Sequence, residues 1–193
     1  MILNEEFLRQ RQSKVLAHYD NREERILNEN KQLYIKSNKY DLFISHSYLD
    51  RDLIINLVEL FNELGYCVYV DWINDPELDR SKVNKKTAEL LRSRMDVSKG
   101  LAYIATNNIP NSKWCPWELG YADGKKGGKC AILPIMKTKS DCFKGQEYLE
   151  LYPYISYIRY ADRDAFDFWV NVPNGRSMYT TLRTWLNKNT NGA

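Results

Sequence analysis

The sequence predicts an α/β fold built on a parallel sheet, and three features carry that expectation. From residue 39 onward short apolar runs alternate with amphipathic helical stretches, the pattern of successive βαβ units. The first run places Leu42, Phe43 and Ile44 in succession, as a strand buried on both faces requires. Finally, 193 residues with 44% apolar side chains are enough for one well-covered core plus a modest extension.

The elements run in order along the chain. Residues 1–38 hold seven basic and six acidic side chains, with apolar residues at Phe7, Leu8, Val15, Leu16, Ile26, Leu27, Leu33 and Ile35. The pairs at 7/8, 15/16 and 26/27 lie at spacings compatible with one helix face, so this segment reads as a helical extension, weakened by Asn28 to Asn30. It either docks on its own domain or meets a partner. The first strand is Tyr40 to Ser45. A helix with Leu53, Leu57, Leu60, Phe61 and Leu64 as its buried stripe comes next, started by Asp50 and Asp52 at the positive end of its dipole and stopped by Gly65. The second strand, Tyr66 to Asp71, leads into a polar loop, Trp72 to Asp79. Beyond Ser81 a second helix presents Val83, Thr87, Leu90 and Leu91 and ends near Gly100. The third strand is Leu101 to Thr106, a short helix spans Trp117 to Lys125, and the fourth strand is Cys130 to Met136. A fifth is expected at Tyr154 to Tyr160. A short helix fits within Lys137 to Pro153, and Met178 to Asn187 reads as a closing helix. The division is an extension over 1–38, a sheet domain over 39–160, and a helical segment over 161–193 that packs on it.

Composition narrows the functions. A formal charge of +3 from 28 basic and 25 acidic side chains makes no demand for nucleic acid or an anionic membrane. Mean hydropathy is -0.57 and no apolar run approaches a bilayer span. The four cysteines, Cys67, Cys115, Cys130 and Cys142, form no C-x-x-C pair, and only His18 and His46 stand beside them, which argues against zinc and for reduced thiols. Glu5, Glu6 and Arg9 occupy the place where a signal peptide is apolar, so a cytoplasmic protein is expected.

In an open parallel sheet the ligand crevice lies beyond the carboxyl ends of the strands, where neighbouring crossovers leave in opposite directions. With a flavodoxin-like order of 2-1-3-4-5, that point falls between the first and third strands. Its walls are then Ser45, His46, Ser47 and Tyr48 on one side and Thr106, Asn107 and Asn108 on the other. Glu118, in the first turns of the next helix, points to the crevice mouth, and Asp71 and Trp72 end the neighbouring strand. Ser45 to Asp50 lacks the glycines of a phosphate-binding loop, and no G-x-G-x-x-G occurs elsewhere. The third strand ends on Thr106 and two asparagines, where a phosphoacceptor receiver has an aspartate.

The stretch Ser112-Lys113-Trp114-Cys115-Pro116-Trp117-Glu118-Leu119 is the most informative. Pro116 suits a first helical turn, and Trp114 stands four residues before Glu118 on the same helix face. On spacing alone, Glu118 is either a catalytic carboxylate or a partner for the helix dipole.

The run Lys39-Tyr40-Asp41-Leu42-Phe43-Ile44-Ser45-His46-Ser47, the strand Val68-Tyr69-Val70-Asp71-Trp72 with its polar loop, and the S-x-W-C-x-W-E-L stretch together resemble a TIR domain. The match covers about residues 39–160, with three separate segments in the family's order and spacing. The resemblance implies the flavodoxin-like sheet and makes Trp72 to Asp79 the BB loop used in TIR–TIR association. It also makes Glu118 of the Trp114-x-x-x-Glu118 pattern the catalytic residue of members that cleave NAD+. Bacterial relatives in antiphage defence, such as the TIR component of Thoeris systems, release a cyclic or otherwise modified ADP-ribose that activates a separate effector. The chain looks like such a signal-producing subunit.

The activity that the resemblance implies is that of an NAD+ glycohydrolase or cyclase, with NAD+ as substrate and no further cofactor. One carboxylate suffices to stabilise the oxocarbenium-like transition state as neutral nicotinamide leaves. Trp114, Trp72 or Tyr48 would stack on a ring, although Trp114 and Trp72 read equally well as core or dimer-interface aromatics, and Ser45 and Ser47 would bind ribose or phosphate oxygens. His46 reads better as a loop hydrogen-bonding residue than as an acid or base, and Asp71 as a cap of the loop turn. Arg80 and Lys82 would meet the pyrophosphate or stay solvated. Cys115 is a buried small residue. Two other readings are kept open here: a non-catalytic TIR adaptor that works by association, and a nucleoside-processing enzyme on a related sheet.

Overall fold

The computed structural model describes residues 2–16, 22–78, 84–138, 147–171 and 179–188. Eight strands and seven helices are defined among them: β1 (Leu3–Asn4), α1 (Glu5–Leu16), α2 (Arg22–Ser37), β2 (Tyr40–Ser45), α3 (Arg51–Glu63), β3 (Val68–Tyr69), α4 (Asp71–Asn74), α5 (Lys85–Asp96), β4 (Ser98–Ala105), α6 (Cys115–Lys126), β5 (Cys130–Met136), β6 (Tyr154–Arg159), β7 (Phe166–Asn171), β8 (Tyr179–Thr181) and α7 (Leu182–Asn187). The sheet order is β3-β2-β4-β5-β6-β7-β8. Its first five members are parallel neighbours, which reproduces the expected 2-1-3-4-5 arrangement.

Alternation along the central strands builds two cores. Leu42, Ala102, Ile104, Ala131 and Leu133 face one layer with Leu53, Leu57 and Phe61 of α3. Phe43, Leu101, Tyr103, Cys130 and Ile132 face the other with Leu91 and Met95 of α5 and Leu119 of α6. The double-sided burial read from Leu42-Phe43-Ile44 is therefore present, each being at most 1% exposed. Gly65 adopts φ of 71° behind α3, as its role as a left-handed stop requires. Gly100 is needed for a different reason. A Cβ there would lie 2.6 Å from the Lys129 carbonyl oxygen and 2.9 Å from Leu186, so only glycine lets β4 approach β5 and α7 this closely.

The sheet is larger than five strands. The segment over 161–193 is not helical throughout: β7 pairs antiparallel with β6, and β8 with β7, before the short helix α7. The period-two pattern Phe166, Phe168, Val170 carries this signal, and Phe168 and Val170 are fully buried. The closing helix begins at Leu182, because Tyr179–Thr181 completes the sheet first. It packs Leu182, Trp185 and Leu186 into the core, and the Lys129 ammonium donates to the Trp185 carbonyl. At the other end of the chain, β1 pairs with the last residues of β5. Asn84 caps α5 by accepting the Thr87 N–H at 2.9 Å, while Ser81 and Val83 lie outside the described residues. The irregular stretch before Pro153 contains a 3-10 turn, Glu147–Leu151.

The extension docks on its own domain. Leu8 and Ile26 enter the α3 core, whereas Leu33 and Tyr34 pack against the α5 side, so α2 passes across the sheet's edge at β3. Asn30 sits at the crossing and is fully buried. Its amide donates to the Val68 carbonyl at 2.8 Å and its oxygen accepts the Val68 N–H at 3.2 Å. A residue in a strand presents both groups to one side, so Asn30 substitutes for the neighbouring strand that β3 lacks. Arg25 pairs with buried Glu59 of α3, and Arg11 with Glu63. Ile35, near the end of α2, is 70% exposed.

Replacing Asn30 by Leu should leave both Val68 groups unpaired and lower stability by about 2–4 kcal/mol, read as a shifted urea midpoint. The cysteines supply a second test. Cys67, Cys115 and Cys130 are buried thiols outside any disulfide, and burial pushes the Cys67 and Cys130 thiols up to about 12. The folded chain thus keeps protons that the unfolded chain loses from about pH 9, so stability present below that pH should fall as pH rises toward 12. Iodoacetamide should label Cys67 and Cys130 only after unfolding, as read by peptide mass mapping.

Candidate active site

The site is assembled where β2 and β4 end. Ser45 closes β2 and is fully buried. Across from it α6 starts at Cys115 with Trp114 as its N-cap residue, Pro116 inside the first turn, and the Ser112 hydroxyl accepting the Cys115 N–H at 3.2 Å. Pro116 sets the backbone angle of that turn and has no N–H to satisfy. The helix then carries Glu118 inward, its N–H donating to the Trp114 carbonyl at 2.8 Å. Glu118 is fully buried, and the Ser45 hydroxyl donates to its Oε2 at 2.6 Å across 73 positions of sequence. The positive end of α6 and this hydroxyl both favour the anion.

A second carboxylate ties the two strand ends together. Asp50, in the 3-10 turn Tyr48–Asp50, accepts the Thr106 hydroxyl and the Asn108 amide, each at 2.6 Å. Thr106, Asn107 and Asn108 consequently do not form the expected wall, because two of their side chains are turned to Asp50. The next segment does so instead.

His46 connects the site to the loop after β3. Its Nδ1 faces the Ile44 carbonyl at 3.0 Å, and its Nε2 lies 3.0 Å from the indole N–H of Trp72 in α4. An indole nitrogen only donates, so Nε2 is the acceptor, Nδ1 carries the proton, and the ring is neutral. The 3.7 Å approach of Asp71 Oδ1 to Nε2 is therefore not an ion pair. Arg51 lies 4.5 Å over the Trp72 ring, which leaves that indole held on its edge and on one face. Farther along the loop, Asp75 receives Arg94 through Nε at 2.9 Å and Nη2 at 2.8 Å, and the Tyr69 hydroxyl at 2.8 Å.

These contacts frame a cleft of about 250 Å³ lined by His46, Ser47, Tyr48, Leu49, Asp71, Asn111, Ser112, Lys113 and Trp114. Of the residues singled out from sequence, His46, Ser47, Tyr48, Asp71 and Trp114 line it. Ser45 and Glu118 do not line it: both are fully buried, Ser45 next to His46 and Glu118 one helical turn from Trp114. Trp72 does not line the cleft and meets it only through the bond from its indole N–H to His46. Ser47 caps the 3-10 turn, accepting the Leu49 N–H at 3.4 Å. Trp114 is 6% exposed and meets Trp117 edge-on at 5.5 Å. Tyr48 and Leu49 project at the rim, 68% and 67% exposed. Arg80, Lys82, His18 and Cys142 fall outside the described residues. The sequence marks Asp50 only as a helix start, and Ser112 and Lys113 only as part of the stretch around Trp114; with Asn111, none of them is assigned to the cleft by it. No group of three or more metal-ligating side chains occurs among the described residues, and no described helix is long and apolar enough to cross a membrane. A larger depression of about 980 Å³ between α2 and the end of α3 shares no residue with this cleft.

A parallel sheet in this order, with a W-x-x-x-E glutamate buried beneath a cleft at the switch point, defines a TIR domain. Comparison with known proteins agrees, although no family model matches the chain. It is 44% identical over 165 residues to a Bacillus cereus (strain MSX-D12) protein named "Probable 3' cyclic ADP-D-ribose synthase ThsB'", covering 85% of this chain and 84% of that one. It is also 38% identical over 84 residues to the Cytobacillus dafuensis "Putative cyclic ADP-D-ribose synthase TIR2", a stretch spanning 43% of this chain and 22% of that relative. The chain belongs to the bacterial, Thoeris-type TIR family that ThsB' represents.

The Asp50 contacts can be tested directly. Asp50→Ala should lower stability by about 2–3 kcal/mol, since it strands a buried hydroxyl and an amide. A double-mutant cycle with Thr106→Val, read by urea denaturation, should return a coupling of about 1 kcal/mol or more.

Proposed function

We propose that the protein cleaves the bond between nicotinamide and ribose in NAD+ and joins the resulting ADP-ribose to itself, giving a cyclic signal nucleotide. The observation that carries this reading is the buried Glu118 carboxylate, held by Ser45 beneath the cleft at the sheet's switch point. The 44% identity to a relative named as a cyclic ADP-D-ribose synthase supports it. The presence of Glu118 weighs against a purely adaptor role.

The chemistry is dictated by charge. As the C–N bond breaks, its electron pair goes to the pyridinium nitrogen, and nicotinamide departs neutral, so no general acid is required. Positive charge then grows on the ribose, where a carboxylate in a water-poor site stabilises it more strongly than the same group in solvent. A nucleophile of the same molecule forms the new bond to the anomeric carbon and passes its proton to Glu118. Atoms and charge balance with NAD+ alone, and exclusion of water favours closure over hydrolysis. Ser45 orients the carboxylate, Trp114 and Tyr48 offer aromatic faces to the two bases, and Ser47 and Asp71 supply polar contacts.

A volume of about 250 Å³ lies below the usual range of roughly 300–1,000 Å³ for ligand sites. A dinucleotide therefore extends past the rim, over Tyr48 and Leu49. A second copy contacting the BB loop would cover that part, and the site is completed by such an association. The protein acts in the cytoplasm, where NAD+ is present and its thiols stay reduced, and its diffusible product reaches a separate effector.

Glu118→Gln keeps an oxygen for the Ser45 bond and removes the charge. Incubated with NAD+ and monitored by chromatography and mass analysis, it should release nicotinamide about 10²–10³-fold more slowly than the unaltered protein, with the same melting temperature. Equal release by both proteins would refute the assigned role.

A further inference from the structure

The cleft carries opposite charges on opposite sides of β2. Asp71 enters from the turn after β3, on one flank of β2 in the sheet order. Lys113 enters between β4 and α6, on the other flank, beside Asn111 and Ser112. Glu118 lies between them, under Ser45 at the end of β2. His46 is neutral by its hydrogen bonds, and Arg51 is committed to the Trp72 face. Among the described residues, Lys113 is thus the one cation lining the cleft, and its exposed ammonium is held by no carboxylate of that set.

A nicotinamide dinucleotide is itself a dipole of fixed order: a cationic pyridinium, then a ribose, then a pyrophosphate with two negative charges. With the ribose over Glu118, only one direction brings unlike charges together at both ends. The pyridinium then lies toward Asp71 and the phosphates toward Lys113. The reverse direction sets phosphate against the Asp71 carboxylate.

We propose that Lys113 binds the pyrophosphate and that, paired across the cleft with Asp71, it sets the direction in which the dinucleotide enters. The proposal deepens the cyclase reading and rests on NAD+ as substrate. A lysine suits this place as a mobile point charge at a solvent-facing mouth, able to follow either phosphate.

Calorimetric titration into the non-cleaving Glu118→Gln protein tests the contact apart from the chemistry. Adding Lys113→Ala should weaken NAD+ binding about tenfold, Lys113→Glu should weaken it further, and Lys113→Arg should restore it to within about threefold. Nicotinamide riboside, which keeps the scissile bond and lacks phosphate, should change by less than about twofold, in affinity or in rate of nicotinamide release by Glu118-containing protein. Equal losses for both compounds, no loss for NAD+, or no NAD+ binding at all would overturn the proposal. Lys113-dependent binding without nicotinamide release by the unaltered protein would remove the cleavage reading and leave the contact standing. Release with Lys113-independent affinity would do the opposite.

Discussion

A carboxylate taken out of water must be compensated, and the site is organised around that requirement at Glu118. Removing an ion from solvent carries an effective penalty of several kcal/mol even after relaxation. The Ser45 hydroxyl at 2.6 Å and the first turn of α6 offset part of it. Both depend on distant structure. Ser45 is fixed because β2 is buried on both faces between β3 and β4, and α6 starts where it does because Trp114, Pro116 and the Ser112–Cys115 contact set its first turn. An anion stabilised in this way presents a favourable field to a cation forming beside it. The electrostatic burden on the folded protein and its assistance to bond cleavage are two aspects of one arrangement.

The remainder of the cleft is held by polar contacts between loops. Asp50 joins the ends of β2 and β4, Trp72 joins α4 to His46, and Asp75 joins the loop after β3 to α5. None of these residues needs to touch a substrate to matter. A displacement of about 1 Å between the β2 and β4 ends would separate Ser45 from Glu118, and positioning of that order governs how well a preorganised group acts. The N-terminal extension contributes at the same level: Asn30 completes the outer side of β3, the strand that delivers Asp71 and Trp72 to the site.

The part of the fold legible in the sequence was the part governed by local rules. Consecutive apolar residues at 42–44, a glycine after the first core helix and a proline before Glu118 each express a constraint satisfied within a few residues. Burial, positive φ and a helix start were found at those places. The sheet order was legible because parallel strands joined by helices admit few arrangements. The partners of Asn30, Asp50 and His46 lie 26 to 58 positions away, and no local pattern encodes them. Thr106 and Asn108 were assigned to the cleft wall because their strand ends there, but the direction of a side chain is decided by its partner. The strand β7 was different in kind. Phe166, Phe168 and Val170 alternate plainly, and the expectation of a helical end obscured a pattern that was present.

The Trp72–His46 bond has a further implication for how the loop and the cleft are related. Trp72 is the first residue of the segment read as the BB loop, whereas His46 lines the cleft, one residue beyond Ser45. A movement of α4 that withdraws the indole N–H leaves a buried imidazole nitrogen without its donor, a penalty of about 1–3 kcal/mol. The ring can recover that energy by turning to another partner, which alters the shape of the cleft it lines. The anchoring of Asp75 by Arg94 and Tyr69 fixes the far end of α4 as well, so Trp72 is held between two ties. Any contact that pulled on Trp72 would therefore be felt at His46 and in the cleft.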